Sequence, residues 1–318
     1  MKKFKSKNDS NGVCIQAYKE PLSKDLKRNA SLYIMAIPVI LYYLIFMYKP
    51  MYGLCIAFKD FTPTKGIIGS TWVGFKHFIS FFGNPYFGRL MTNTIVMSLS
   101  TLVFSFPIPI ILAIMMNELK SKKFSQISQL AIYMPHFISL IVICGLITKF
   151  TSSTGLINDM VVFFGGDRMN LLNEPKAFVP IYVISHIWQE AGWGSIIYLA
   201  ALTGIDQQQY EAATIDGAGR WKQTLHVTIP GILPTIVIML LLSVGNVLSI
   251  GYEKIILLYN PLTYETADVI STYVYRKGLL ENSWSFSSAV GLFNSVINFA
   301  LLIIANTLSK KLTSNGLW

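Results

Sequence analysis

Apolar residues gather along this chain into six long stretches, parted by polar islands rich in glycine, proline or charge. The stretches run over about Ser31–Tyr48, Thr92–Asn117, Ser128–Phe150, Val179–Leu202, Ile229–Ser249 and Phe286–Leu308, with room for the fifth to continue toward Leu258. At a rise of about 1.5 Å per residue, about 20 apolar residues cross the hydrocarbon of a bilayer. Each stretch is therefore expected to be a transmembrane helix, six in an all-α chain. Pro107 and Pro109 predict a kink in the second, because proline removes a backbone donor and crowds the preceding turn. An even number of spans returns both chain ends to one side.

Three of the spans carry polar residues at helical spacing. His186, Gln189, Glu190 and Trp193 fall on one face of the fourth, which is the most polar. Ser243, Asn246, Ser249 and Glu253 do so in the fifth, and Gly291, Asn294, Ser295 and Asn298 in the sixth. An acidic side chain at a span centre costs roughly 2.5–3.5 kcal/mol on insertion scales, so Glu190 is expected to face protein or water. The functional reading is a polar solute path lined by Trp188, Gln189, Glu190, Trp193, Asn246, Tyr252, Asn294 and Asn298. Such a lining suits a sugar: hydroxyls need amide and carboxylate partners, and ring faces stack on Trp and Tyr, with Tyr198 as a further candidate. The bland reading is hydrogen bonding between helices, common in membrane bundles. For Asn298 taken alone it is preferred. His136 and His186 read as hydrogen-bonded helix residues, since no second ligand sits at metal-binding spacing.

The island at 205–229 has its own grammar. Asp206 is an N-cap, with Gln209 at the capping-box position and Ile205 and Tyr210 at staple spacing. A short helix should follow and end at Gly217 and Gly219, which permit the backbone that turns the chain. A second short helix is expected over about Arg220–Thr228, with Pro230 and Pro234 opening the next span. The succession Glu211-Ala212-Ala213, Asp216-Gly217-Ala218, then Ile229-Pro230 and Pro234 resembles the cytoplasmic coupling loop of ABC-importer permeases. The resemblance extends from about Trp72-Val73-Gly74-Phe75 to Gly316-Leu317-Trp318. It is to the branch that imports oligosaccharides and uronic-acid-containing glycans. Asn260 to Asp268, Gly192-Trp193-Gly194-Ser195 and Gly291 to Ser295 look typical of that branch.

The resemblance implies the type I ABC-importer permease fold, with a cytoplasmic coupling helix and a peripheral first span. It implies that Glu211, Ala212, Ala213, Asp216, Gly217 and Ala218 couple to a separate ATPase. The implied partners are a second, homologous permease, two cytoplasmic ATPase subunits, an extracellular lipid-anchored binding protein and the carbohydrate substrate. The chain itself would bind no cofactor; ATP and Mg would be used by the ATPase. The location would be a bacterial plasma membrane.

Composition agrees with a membrane setting. Of the 318 residues 53% are hydrophobic and only 13% charged, about half the charge of a soluble domain. The net charge of +10 does not suggest nucleic acid, because the basic residues sit in gaps between apolar runs rather than in one stripe. With the N-terminus inside, the inner segments hold fifteen Lys or Arg and the longer outer segments ten; that bias places both termini and the Glu211 loop in the cytoplasm. The basic N-terminus lacks a signal peptide's apolar region and is expected to be retained, and Cys14, Cys55 and Cys144 give no disulfide or metal framework.

The expected organisation is a basic tail at 1–30, the first span and an extracellular segment at 31–91, a five-helix core at 92–309 and a tail at 310–318. The outer segments either dock a binding protein or simply pack over the bundle. No phosphate-cradling Gly-x-x-x-x-Gly-Lys-Ser/Thr run is present, so the chain is not expected to hydrolyse ATP, and hydrolase motifs are missing too. The rival from another class is an ion-coupled secondary sugar transporter with Glu190 and Glu253 as relays.

Overall fold

The computed structural model describes residues 22–313 and 316–317, in two units, 1–54 and 55–318. Most of the basic N-terminal tail, with Cys14, and Ser314, Asn315 and Trp318 of the C-terminal tail lie outside the described residues.

The first unit holds α1 (Leu22–Arg28) and α2 (Ala30–Tyr42), the latter continuing through a wider turn, Tyr43–Tyr48, to Met51. Asp25 ties the two together, accepting from Asn29 Nδ2 at 2.7 Å and from the Tyr33 hydroxyl at 2.6 Å. The sequence from Ala30 is apolar all round.

The second unit opens with a two-stranded ribbon, β1 (Lys59–Asp60) antiparallel to β2 (Thr71–Trp72), with Lys59 opposite Trp72. Phe58 stacks on Trp72 with ring centres 5.7 Å apart. Asp60 accepts from Lys76 Nζ at 2.7 Å, which holds its carboxyl below the usual range. Helix α3 (Lys76–Phe82) follows, and its buried Phe81 packs on Phe87, Phe286 and Phe293.

The bundle comprises α4 (Phe87–Ser105), α5 (Pro107–Asn117), α6 (Lys122–Tyr133), α7 (Leu140–Thr151), α8 (Leu156–Phe163) and α9 (Pro175–Thr203). After these come α10 (Gln207–Ile215), α11 (Ile229–Gly245), α12 (Tyr252–Leu258), α13 (Ile270–Tyr275) and α14 (Trp284–Thr313). Among the described residues five helical stretches are long and apolar enough to cross a membrane: Ala30–Phe58, Phe87–Asn117, Leu140–Phe163, Arg220–Gly245 and Trp284–Lys311. Helix α9 has 29 residues and is as long, but more polar. It is the central post. At 1.5 Å per residue it extends about 43 Å, enough for the hydrocarbon and both interfaces. Gly192 lets it approach α6 so closely that a Cβ there would collide with the Ile132 carbonyl.

The second span is interrupted at Phe106, just before Pro107, as the prolines predict. Two other spans depart from the sequence reading. The third is not one helix from Ser128 to Phe150: it breaks at a tight turn, Met134–Phe137, around Pro135, which has no amide to donate. The fifth stops as a helix at Gly245 and resumes only at Tyr252. Here Ser243, Asn246, Ser249 and Glu253 are not one helical face.

At the end of α9 opposite α10, the chain from Asn260 to Asp268 is locked to the bundle. Thr266 Oγ1 donates to the Pro175 carbonyl at 2.6 Å, and Asn93 Nδ2 donates to the carbonyls of Glu265 and Asp268 at 2.8 and 3.0 Å. The buried Asp268 carboxylate accepts from both terminal nitrogens of Arg276 at 2.8 and 2.7 Å, raising the guanidinium pKa further.

Candidate functional site

Two features stand at different levels of α9. The first is the loop following it. Asp206 caps α10 by accepting from the Gln208 amide at 3.0 Å, while the Gln209 amide donates to the Asp206 carbonyl at 3.1 Å. Ile205 and Tyr210 turn inward, joining Ala113, Tyr198, Leu202 and Ile232 in an apolar cluster. Helix α10 ends with Gly217 at φ +74°. The Ala218 amide donates to the Ala213 carbonyl at 2.9 Å and the Gly217 amide to the Thr214 carbonyl at 3.0 Å. These two bonds form the Schellman ending that a left-handed residue makes possible.

The chain then re-enters a helix at Arg220 and runs into α11 without a further stop. The second short helix is thus the first turns of the fifth span, joined by the wider turn Thr224–Thr228. Gln223 Nε2 donates to Thr214 Oγ1 and to the Ala218 carbonyl, both at 3.0 Å, and the Tyr210 and Thr228 hydroxyls meet at 3.0 Å. Helix α10 is therefore fixed to the base of α11. Glu211, Ala212, Asp216 and Gly217 are exposed, and Ala213 and Ala218 half-buried. Ile215 and Trp221 stand beside them 86% and 75% exposed, an apolar pair with no core role.

The second feature is a cavity of about 520 Å³ between α4, α5, α9, α11 and the unwound segment after Gly245. Helix α9 contributes Tyr182, His186, Glu190, Trp193 and Tyr198, close to a four-residue repeat. Glu190 Oε2 lies 2.9 Å from His136 Nδ1, in the break of the third span, and the His136 ring stacks on Trp193 at 4.6 Å. The acid in the span is thus met by a polar partner from a neighbouring element. Ser243, in the last turn of α11, also lines the cavity, as do Asn246 and Ser249, which the backbone presents without helical spacing because it unwinds past Gly245.

The rest of the expected path divides differently. Asn294 and Asn298 do not line the cavity; they brace the unwound segment. Asn298 Oδ1 accepts the Leu248 amide at 3.0 Å and its Nδ2 donates to Ser249 Oγ at 2.8 Å, while Asn294 Nδ2 donates to the Leu248 carbonyl at 3.2 Å. Irregular backbone at membrane depth requires such side-chain partners. Tyr252 stacks on Tyr275 at 4.9 Å, away from the cavity wall. Gln189 is buried outside the lining, and Trp188 is exposed on another side of α9. Glu253 is exposed and outside the lining too. One stripe was missed: Ser98, Thr101 and Ser105 of α4 line the cavity at i, i+3 and i+7. The hydroxyls of Ser98 and Thr101 have no hydrogen-bond partner.

Relatives carry this architecture. Over 288 residues, 90% of this chain and 90% of the other, the chain is 44% identical to the Bacillus subtilis polygalacturonan/rhamnogalacturonan transport system permease protein YteP. It is 43% identical to protein LplB of the same organism, over 92% of both chains. A crystal structure of a bacterial ABC transporter involved in import of the acidic polysaccharide alginate contains a chain 46% identical, with TM-score 0.84, covering 92% of this chain and 100% of that one. A second, of the alginate transporter in complex with an alginate pentasaccharide-bound periplasmic protein, superposes at TM-score 0.85 and 45% identity over 94% of this chain and 100% of that one. With residues 105–314 matching its pattern, the chain belongs to the family of binding-protein-dependent transport system inner membrane components, the permeases of ABC importers rather than their ATPase subunits.

Proposed function

We propose that this permease forms half of the translocation path of an importer for an acidic oligosaccharide or polysaccharide fragment. The observation that carries the reading is the cavity, where Glu190, Asn246 and the unpartnered Ser98 and Thr101 hydroxyls stand among Tyr182, Trp193 and Tyr198. Hydroxyl groups of a sugar would bond to the Glu190 carboxylate and the Asn246 amide, with the buried Ser98 and Thr101 oxygens just beneath that surface, and its ring faces would stack on the aromatics. The relatives that handle polygalacturonan and alginate support an acidic cargo.

Glu211, Ala212, Ala213, Asp216, Gly217 and Ala218, with Ile215 and Trp221 beside them, form the surface on which a cytoplasmic ATPase docks. ATP and Mg serve that subunit and not this chain. The rigid joint from α10 through Gln223 to α11 carries its movement into the unwound segment that lines the cavity. A second permease, two ATPase subunits and an extracellular lipid-anchored binding protein complete the assembly, with both termini in the cytoplasm. An ion-coupled carrier relaying through Glu190 and Glu253 is disfavoured, because Glu253 lies outside the cavity lining. The test is ATP-driven uptake of trigalacturonate or an alginate trisaccharide by the complete importer in proteoliposomes. ATP- and binding-protein-dependent uptake is expected; no uptake of any oligosaccharide, acidic or neutral, would sink the proposal.

A further inference from the structure

Resting on that reading, we infer that Lys254 supplies the positive charge that recognises the carboxylate of an acidic sugar in the translocation path. Lys254 sits in the first turn of α12, three residues beyond Gly251, the last residue of the unwound cavity wall. It is only 6% exposed, and its Nζ has no hydrogen-bond partner. An ammonium buried without partners is costly in any protein and more so at membrane depth. Packing alone gives no reason for it, because an apolar residue of similar length would fill the site at lower cost.

Its surroundings point to the cavity. The ammonium lies 5.3 Å from the centre of the Tyr182 ring, and Tyr182 is itself a cavity wall residue. The ring's face offers the cation partial compensation. The one acidic side chain lining the cavity, Glu190, is hydrogen-bonded to His136. Among the described residues no carboxylate forms an ion pair with Lys254, and the exposed Glu253 turns back toward Gly251. The charge is therefore held without a direct partner, one aromatic ring from a cavity furnished for hydroxyl groups, with Glu190 acting on it only through space. A neutral sugar would leave it unmatched; a uronate brings the missing anion. Lys254 does not line the cavity in this structure, so the inference requires a shift of α12, which the non-helical segment from Asn246 to Gly251 allows, or a turn of the Tyr182 ring to bring the long lysine side chain there.

The test uses the complete importer with its binding protein in proteoliposomes, and two probes: trigalacturonate and its carboxyl-reduced, neutral trimer. In Lys254→Met, uptake of trigalacturonate should fall about 30-fold or more, the loss that follows removal of one partner of a buried charge pair. Basal ATPase activity and complex assembly should be unchanged, and Lys254→Arg should restore acidic uptake. Met and Arg variants equally impaired, or a Met variant equal to the parent, would overturn the inference. If the parent imports the neutral trimer alone, the carbohydrate path stands and the counter-charge falls. Import of neither trimer overturns the counter-charge, and import of no oligosaccharide at all, the alginate trisaccharide included, removes both.

Discussion

Replacing Asn298 by Leu separates the two roles open to the polar residues of the sixth span. The side chains have nearly the same shape, so the change removes hydrogen bonds and little volume. Two bonds go: the one that satisfies the Leu248 amide at 3.0 Å and the one to Ser249 Oγ at 2.8 Å. A buried amide left unpaired costs about 1–3 kcal/mol, and a lost neutral bond about 0.5–1.5 kcal/mol. Polar groups inside a membrane bundle partly find new partners, and measured pairs there average only about 0.6 kcal/mol. The expected net loss is therefore about 2 kcal/mol. For a chain of this size it corresponds to a fall of roughly 3–6 °C in apparent melting temperature, measured on the purified importer at one fixed scan rate because unfolding of such assemblies is irreversible. Asn246→Leu is the control. Asn246 is exposed to the cavity and bonds only back to the Leu242 carbonyl of its own helix, so this variant should melt normally and lose uptake. An Asn298→Leu protein that melts like the parent but no longer transports would refute the bracing argument and return Asn298 to the solute path.

Other substitutions probe the remaining joints. Glu211→Lys should reduce retention of the ATPase during purification by about 2–5 kcal/mol of docking energy, if its carboxylate meets a basic side chain there; full retention would remove Glu211 from the interface. Gly217→Pro should leave membrane insertion intact while uncoupling ATP hydrolysis from uptake, because proline cannot take the φ of +74° on which the end of α10 depends; coupled transport in this variant would be incompatible with that role. Gly192→Ala should cost about 1–3 kcal/mol through collision with the Ile132 carbonyl, read as a lower melting temperature, and an unchanged melt would mean that α6 and α9 can separate freely. Asp268→Ala removes the bidentate partner of Arg276 at a cost of about 3–5 kcal/mol; faster proteolysis between Asn260 and Glu281 is the expected signature, and unaltered cleavage would count against the clamp.

The apolar runs determined by themselves that this chain crosses a membrane, since no other solvent accommodates stretches of that length and composition. The 205–229 island was equally legible, because caps and glycine turns are local: Asp206 and Gly217 act on backbone within a few residues of themselves. Helical spacing also grouped His186, Gln189, Glu190 and Trp193 on the unbroken helix α9, of which all but Gln189 line the cavity. Spacing failed where the helix failed. Past Gly245 the chain unwinds, so Asn246 and Ser249 reach the cavity by an irregular path, and Asn294 and Asn298 are used up in holding that path. A period of 3.6 residues carries no information beyond the residue at which the helix ends. The pairing of Glu190 with His136, 54 residues apart, and the burial of Lys254 beside Tyr182 were decided by the packing of α9 against the broken spans. Which polar groups are satisfied within the protein, and which remain for a solute, depends on those distant neighbours, and only the tertiary structure brings them together.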